Sequence, residues 1–552
     1  SRFLIRNSVK CYNLASRLLS MSLERLAVDF LERYKYEPWL VESFVDTAQF
    51  SGASYRAANW IPVGQTQGRG RQDRFRKQEK SVKDIYLYPL EKDFRTRLGL
   101  SPGAGLGPLG PADGMDGNQW AQQEMGGAPL GDKRMSKRLV EFAQSKAEQP
   151  GRAFTGVAEG DWPAIKAYYR FIDHPDQEAV SMEHILEPHR QRTIQRMQGQ
   201  RTVLCIQDGS DFDCTSLAEC EGLGVIGTNQ TGAKSRGLHL HTTFAVAPNG
   251  LPLGILRAEC VAPQLKSPDD NRPSYAVPLE EKDTFSWVAG LRDTVEVAAE
   301  MPQTRLVNVC DREADFFELF EEQLRNPSVQ LLVRANHNRV IREEPGKLFD
   351  AVRQSPLQTK VEVHVPRQSA RPKLSKTKAR PKRSARQVEL EVRYMRVQLP
   401  PPSYFPQKEP IELWCIHAVE SAPPEGNKPV EWVLLTTINI RSAEDAVSCL
   451  RWYCLRWRIE DFHRVLKSGC GVEKIAHQTA ERIQRAIAIN LVLAWRIMLM
   501  TLLGRETPQL PPDVVFSNIE LQVLNAYAKK NGSPRLKRCA TPYGSSPAWP
   551  AT

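Results

Sequence analysis

The chain has 552 residues with a net charge of +11 and an isoelectric point near 9.1, and 41% of its residues are hydrophobic. That length supports two to four domains with sizeable cores, and the composition excludes a fibrous, collagen-like or wholly disordered chain. The positive balance favours a polyanionic partner, while eleven scattered cysteines without a CxxC pair exclude a zinc ribbon and point to reduced thiols in a cytosolic compartment.

Residues 1–98 read as a small α/β domain. Phe3–Ile5 opens as a strand, and Asn13 can cap a helix through Leu14, Leu18, Leu19, Leu23 and Leu26. Trp39–Val45 and Ile85–Leu90 read as strands. Between them, Gln65, Gly68 and Gly70 form a Q-x-x-G-x-G string, a weak match to an acetyltransferase phosphate loop; a flexible basic loop is the favoured reading. Residues 99–131 are rich in Gly and Pro and read as a linker. Residues 132–195 read as helices. Lys133, Arg134, Lys137 and Arg138 form a basic first face, followed by Trp162 and Tyr168-Tyr-Arg-Phe171. Basic residues interleaved with aromatics suit contacts to DNA phosphates and grooves, and equally a solvated helical face.

From Arg201 strands alternate with helices, over 196–344. Thr202–Gln207 is a buried strand ending at Asp208, His239–Val246 and Leu253–Ala258 are strands, and Glu280–Met301 is a helix. Arg305–Cys310 is a second buried strand ending at Asp311; a helix over Glu313–Leu324 and a strand over Val329–Val333, leading to Arg334, follow. Residues 345–440 read as a β-rich insertion: Val361–Val365, Val388–Val397, Ile411–Val419 and Trp432–Thr437 alternate like antiparallel strands. A basic run between Arg367 and Arg386 is a solvated loop or an arm that tracks phosphates. Residues 476–533 read as helical, with the apolar stretch Ala486–Leu503 a buried helix rather than a membrane span because Asn490 and Arg496 interrupt it. Ile519–Tyr527 reads as a shorter helix, and 534–552 has no periodicity.

Residues 441–475 carry the densest chemistry. Read as one helix, Tyr453–Lys467 puts Tyr453, Arg456, Glu460 and Lys467 within an arc of about 60°, beside an apolar stripe of Trp452, Leu455, Ile459, Phe462 and Leu466. A carboxylate flanked by a guanidinium and an ammonium suits a cation held beside a phosphate. Asp208 and Asp311, each at the end of a buried strand, can meet Glu460 where open α/β sheets gather ligands. Three acids in close approach need divalent cations, and hard oxygen donors suit Mg²⁺. Asp211, Asp213, Glu313, Asp315 and Asp461 are rival acids nearby.

The Y-x2-R-x3-E-x6-K spacing of Tyr453, Arg456, Glu460 and Lys467 resembles the signature of bacterial insertion-sequence DDE transposases. So do Gln207-Asp208, Lys234-Ser-Arg-Gly237 with His241, Val309-Cys-Asp-Arg-Glu-Ala-Asp315, Leu332-Val-Arg334 and Trp432-Val-Leu-Leu435, in family order. Asp132-Lys-Arg134 and Tyr169-Arg-Phe-Ile172 resemble the end-recognition region of the same proteins. The resemblance implies an RNase H-like core with a β-rich insertion, and a catalytic triad of Asp208, Asp311 and Glu460 holding two Mg²⁺ ions, with Mn²⁺ an alternative. It implies DNA contacts by Tyr453, Arg456, Lys467, Arg334, Arg236, Trp457 and the basic face at Lys133, with Trp432 stacking on a flipped base. The activity implied is cut-and-paste transposition: hydrolysis at inverted-repeat ends, hairpin formation and strand transfer into double-stranded target DNA. A homodimer paired through C-terminal helices is implied too, although the chain departs from the family pattern there. Asn13-Leu-Ala-Ser16, Glu42-Ser-Phe-Val-Asp46, Tyr55-Arg-Ala-Ala-Asn-Trp60 and Gly68-Arg-Gly-Arg71 resemble a domain of Druantia-type anti-phage proteins, with no established chemistry. The competing readings are an RNase H-like nuclease that does not rejoin DNA and an inactive DNA-binding or defence-related remnant.

Overall fold

The computed structural model describes most of residues 14–66, 81–90 and 119–506, apart from short stretches at 229–233, 265–269, 344–345, 366–385 and 425–428. The expected Phe3–Ile5 strand, the Asn13 cap, Gly68 and Gly70, the basic run before Arg386, most of the 519–527 helix and the 534–552 tail lie outside the described residues. The chain divides into two units, Ser1–Gly107 and Pro108–Thr552.

In the first unit, helix α1 (Leu14–Tyr34) and the short α2 (Ala53–Ala57) accompany an antiparallel sheet of order β1-β3-β2. Its strands are β1 (Leu40–Asp46), β2 (Ile61–Gln65) and β3 (Lys83–Pro89). Leu19, Leu23, Val45, Trp60 and Tyr86 form its core. Tyr55 stacks on Tyr86, with ring centroids 5.4 Å apart. Gly52 adopts φ +67°, and a Cβ there would lie 2.3 Å from the Tyr86 hydroxyl, so the turn needs glycine on both counts. Gln65 lies in β2 and donates to Asp84.

The second unit opens with helices. Trp120–Met125 (α3) is helical and buries Trp120 and Met125, so the linker reading of 99–131 fails over its last part. Two large apolar side chains there outweigh the surrounding glycines. Helices α4 (Lys133–Glu148), α5 (Phe154–Val157), α6 (Trp162–Ile172) and α7 (Met182–Gln198) follow, with Asp132, Asp161 and Ser181 capping α4, α6 and α7 through their side chains. Met135, Leu139 and Phe142 recur at helical spacing and face inward; Phe142 meets Phe154, Tyr168 and Phe171 edge-on.

A buried ionic group fastens these helices to the sheet. Glu124 of α3 accepts from Arg196 and Arg192 of α7, at 2.9 Å each, and lies 2.6 Å from His189. Arg196 also donates to Leu253 O and lies over the Trp495 ring. Burial works against the Glu124 charge, but Arg196 and the His189 hydrogen bond overcome it and hold the carboxyl well below its usual range.

The sheet has ten strands: β4 (Thr202–Asp213), β5 (Gly224–Thr228), β6 (Lys234–Val246), β7 (Pro252–Val261), β8 (Arg305–Cys310), β9 (Val329–Arg334), β10 (Leu357–Val365), β11 (Arg386–Leu399), β12 (Ile411–Glu420) and β13 (Glu431–Thr436). Its order is β10-β11-β12-β13-β9-β8-β4-β6-β5, with β7 also on β6. Strands β4, β8 and β9 run parallel and the other pairs antiparallel. Val203–Ile206 are fully buried, as expected for parallel strands covered on both faces. Strands β10–β13 extend this same sheet, because β13 pairs with β9. On the connecting segments, α8 (Phe285–Glu300) starts later than the sequence spacing suggests. The expected Glu313–Leu324 helix breaks at Asp315 before α9 (Phe317–Arg325), because the Asp315 carboxylate accepts from the backbone of Asn336 and His337. Helix α10 (Leu348–Gln354) precedes β10.

The C-terminal part of the described chain holds α11 (Ala443–Cys454), α12 (Trp457–Arg464) and α13 (Ala480–Glu506). Within α13, Ala480–Leu503 is long and apolar enough to cross a membrane, but Ile487, Leu491, Val492 and Trp495 are fully buried in the core, as expected of a buried helix. The stretch Tyr453–Lys467 is not one helix: it breaks at Leu455–Arg456, and Val465–Gly469 widens into a π-turn.

Candidate functional site

Asp208 is not at a strand end, since β4 continues to Asp213 as an antiparallel partner of β6. It lies just beyond the point where β4 stops pairing with β8. The last parallel pairs are Cys205↔Asn308 and Ile206↔Val309, and the same register carried two residues further sets Asp208 beside Asp311. Asp311 does end its strand, and its carboxylate accepts from Glu313 N at 2.8 Å. The two acids come together because parallel pairing aligns the ends of adjacent strands.

Glu460 arrives from α12, seated by buried Ile459 and Phe462, the latter stacked on Phe244 of β6 at 4.5 Å. Arg456, at the helix break, donates to Asp208 Oδ2 at 3.1 Å and to Glu460. One guanidinium thus bridges two of the three acids. Arg456 is nearly enclosed; burial works against its charge, and Tyr453, Asp208 and Glu460 sustain it. Burial pushes the Asp208 carboxyl up to about 7; Arg456 pulls it down, while the charges of Asp311 and Glu460 push it up further.

The donor set of Asp208, Asp311 and Glu460 is all hard oxygen and suits Mg²⁺ or Mn²⁺ chemically. Burial is the main cause of the elevated Asp208, and the charges of Asp311 and Glu460 add to it. Among the described residues, though, no three His, Cys, Asp or Glu side chains are drawn together closely enough to hold a metal ion as they stand. Arg456 supplies the positive charge between Asp208 and Glu460.

The other expected residues distribute around this centre. Tyr453 is buried against Trp432, ring centroids 6.0 Å apart, and beside Arg334. Arg334 reaches the Glu431 carbonyl, and burial lowers its pKa. Lys467 donates to the Asp211 carbonyl at 2.5 Å and lies over the Phe212 ring. Trp457 is exposed, with Arg456 against its ring. Arg236 is committed to the carbonyls of Ala218 and Cys220, where it holds the turn after β4. On α4, Lys133, Arg134 and Lys137 are exposed, Arg134 paired with Asp132 and Lys137 with Glu141, while Arg138 is half-buried.

The sequence reading missed His239. Its Nδ1 lies 2.7 Å from Asp211, which raises its pKa, and its ring lies close to Gly209, next to Asp208. The outward alternation of His239 with Leu238 and Leu240 on β6 was the available signal. His241, by contrast, points into the core against Trp287, and burial drops it to about 3.

Two comparisons bear on this arrangement. Residues 117–177, which include α3 to α6, match the family model described as Transposase DNA-binding. Residues 1–79 match the one described as Druantia protein DruA. They bear out the resemblance to a transposase with a DruA-like N-terminal domain, and the match over the helices from Trp120 to Ile172 supports DNA as a partner.

Proposed function

We propose that this chain is a DDE transposase that cuts transposon ends and joins them to target DNA. The observation that carries the reading is that Arg456 bridges Asp208 and Glu460 while the β4–β8 register sets Asp311 beside Asp208, in a chain whose α3–α6 helices match a transposase DNA-binding model. The strand path β7-β6-β4-β8-β9, antiparallel over its first three members and parallel over its last three, supports an RNase H-like core.

In this reading Asp208, Asp311 and Glu460 would draw together to hold two Mg²⁺ ions, with Mn²⁺ as a substitute. Bound there, the ions would supply activation of an attacking oxygen and stabilisation of the leaving one. The protein's own groups do the positioning. Arg456 keeps Asp208 and Glu460 facing one another and relieves their repulsion. Arg334, Tyr453 and Lys467 grip phosphates of the end, and the half-buried Trp432 offers a π-face to a base leaving the stack. Water opens one strand, the freed 3′-hydroxyl attacks the opposite strand to form a hairpin, and strand transfer follows in a homodimeric synapse.

The test is Mg²⁺-dependent cleavage of the inverted repeats that flank the coding region. Asp208→Ala and Glu460→Gln should abolish cutting while DNA binding persists. Variants that cut as well as the parent would overturn the assignment. Simple breaks without hairpins or joined products would reduce it to a nuclease, and salt-sensitive binding without any cleavage would reduce it to a DNA-binding remnant.

A further inference from the structure

A cavity of about 250 Å³ opens between the DNA-binding helices and the segment before α13. It lies within the second unit, and Phe142, Phe154, Tyr168, Tyr169 and His477 supply the aromatic part of its walls. Phe154 and Tyr168 are stacked at 4.4 Å, and the Tyr168 hydroxyl is hydrogen-bonded to His477 Nε2 at 3.1 Å. Burial pushes His477 down to about 4, so this imidazole is neutral at neutral pH.

Two nearly enclosed polar groups on the lining are left incompletely matched. Asn490 donates through Nδ2 to Ala486 O, which leaves its buried Oδ1 with no hydrogen-bond partner. Lys146 is 6% exposed and donates only to the carbonyls of Pro150 and Arg152; among the described residues no carboxylate pairs with it. An unmatched buried acceptor and an uncompensated buried ammonium are both costly unless something completes them. Lys474 and the half-exposed Tyr169 stand on the lining as further phosphate and ring contacts.

The geometry points to a binding site for one unpaired nucleotide of a DNA strand, its base lying among Phe154, Tyr168, Tyr169 and His477, its N–H edge on Asn490 Oδ1, and its phosphate toward Lys146 and Lys474. The volume falls below the roughly 300–1,000 Å³ of pockets for drug-sized ligands and suits a single ring system. Aromatic stacking accepts any base, and the amide oxygen favours one with a free N–H. The inference rests on the DNA-binding reading of α3–α6, which contribute Phe142, Lys146, Phe154, Tyr168 and Tyr169 to the walls.

The experiment uses the full chain and two duplexes of one sequence, one fully paired and one carrying a single bulged 5-iododeoxyuridine. The bulged duplex should bind about tenfold tighter, and ultraviolet light should crosslink it to a peptide containing Tyr168, Tyr169 or His477. Ala476→Trp, at an exposed position on the cavity wall outside the DNA-binding helices, should abolish the preference and the crosslink while paired-duplex affinity stays unchanged. Asn490→Leu should weaken the preference without moving the crosslink. Equal affinity for both duplexes, or a crosslink mapped elsewhere, would overturn the pocket and leave the DNA reading standing. Failure to bind either duplex would overturn both. Saturable binding of free deoxyuridine monophosphate with no preference between duplexes would overturn the DNA strand as the source of the nucleotide.

Discussion

Asn in place of Asp208 isolates the electrostatic cost of the site. The side chain is 17% exposed and is held at about 7 rather than its ordinary 3.8. Each unit of that difference corresponds to about 1.4 kcal/mol, so the ionised carboxylate costs the fold at most about 4 kcal/mol once it is fully charged. The sign follows from proton linkage. Between pH 3.8 and about 7 the unfolded chain has released this proton and the folded one has kept it, so stability falls as pH rises through that window and levels off above it. Asp208→Asn removes the titration. Its advantage over the parent should be absent near pH 4, grow through pH 7 and stay constant beyond. Thermal melts of both proteins in EDTA across that range measure it. Added Mg²⁺ should raise the melting point of the parent at pH 8 and leave the variant nearly unmoved. An advantage that does not vary with pH would refute the argument that burial among like charges governs this carboxyl.

Glu124→Ala should destabilise the chain by about 3–5 kcal/mol in urea unfolding, because it leaves Arg196 buried without its counter-charge. Glu124→Leu with Arg196→Met should cost less than that single change, which would show that the pair aligns rather than stabilises. Since the Glu124 pKa is depressed, its contribution is complete above its ordinary value of 4.5 and lost as pH falls below it. Lys133→Ala with Lys137→Ala should lower the slope of log affinity for DNA against log salt by about two, one for each phosphate contact; an unchanged slope would remove the α4 face from the interface.

Much of the site could be read from linear spacing. Asp311 follows a strand that is apolar but for Arg305 and the buried Asn308, and Glu460 lies between Ile459 and Phe462 on a helix whose buried stripe was legible as period 3.6. Asp208 was found for a partly wrong reason. An apolar run stops at Gln207, yet β4 continues, because a strand with one exposed face can follow a buried stretch and only pairing with β6 reveals it. The break at Leu455–Arg456 left no trace in periodicity. Both sides keep their apolar faces, and Arg456 at the break reaches Asp208, far away in the chain.

Local chemistry by itself determined which segments fold as helices or strands, where most acids and bases fall along them, and that the chain is basic enough to seek a polyanion. Those properties depend on side-chain periodicity and charge, which neighbours in the chain settle among themselves. Contacts across hundreds of residues decided the rest: that Arg456 sits between Asp208 and Glu460, that β10–β13 join the central sheet, that Trp120–Met125 is anchored by Glu124, and that Lys146 and Asn490 face a common cavity. Burial and pairing at such distances depend on how whole layers pack, and no local pattern carries that information.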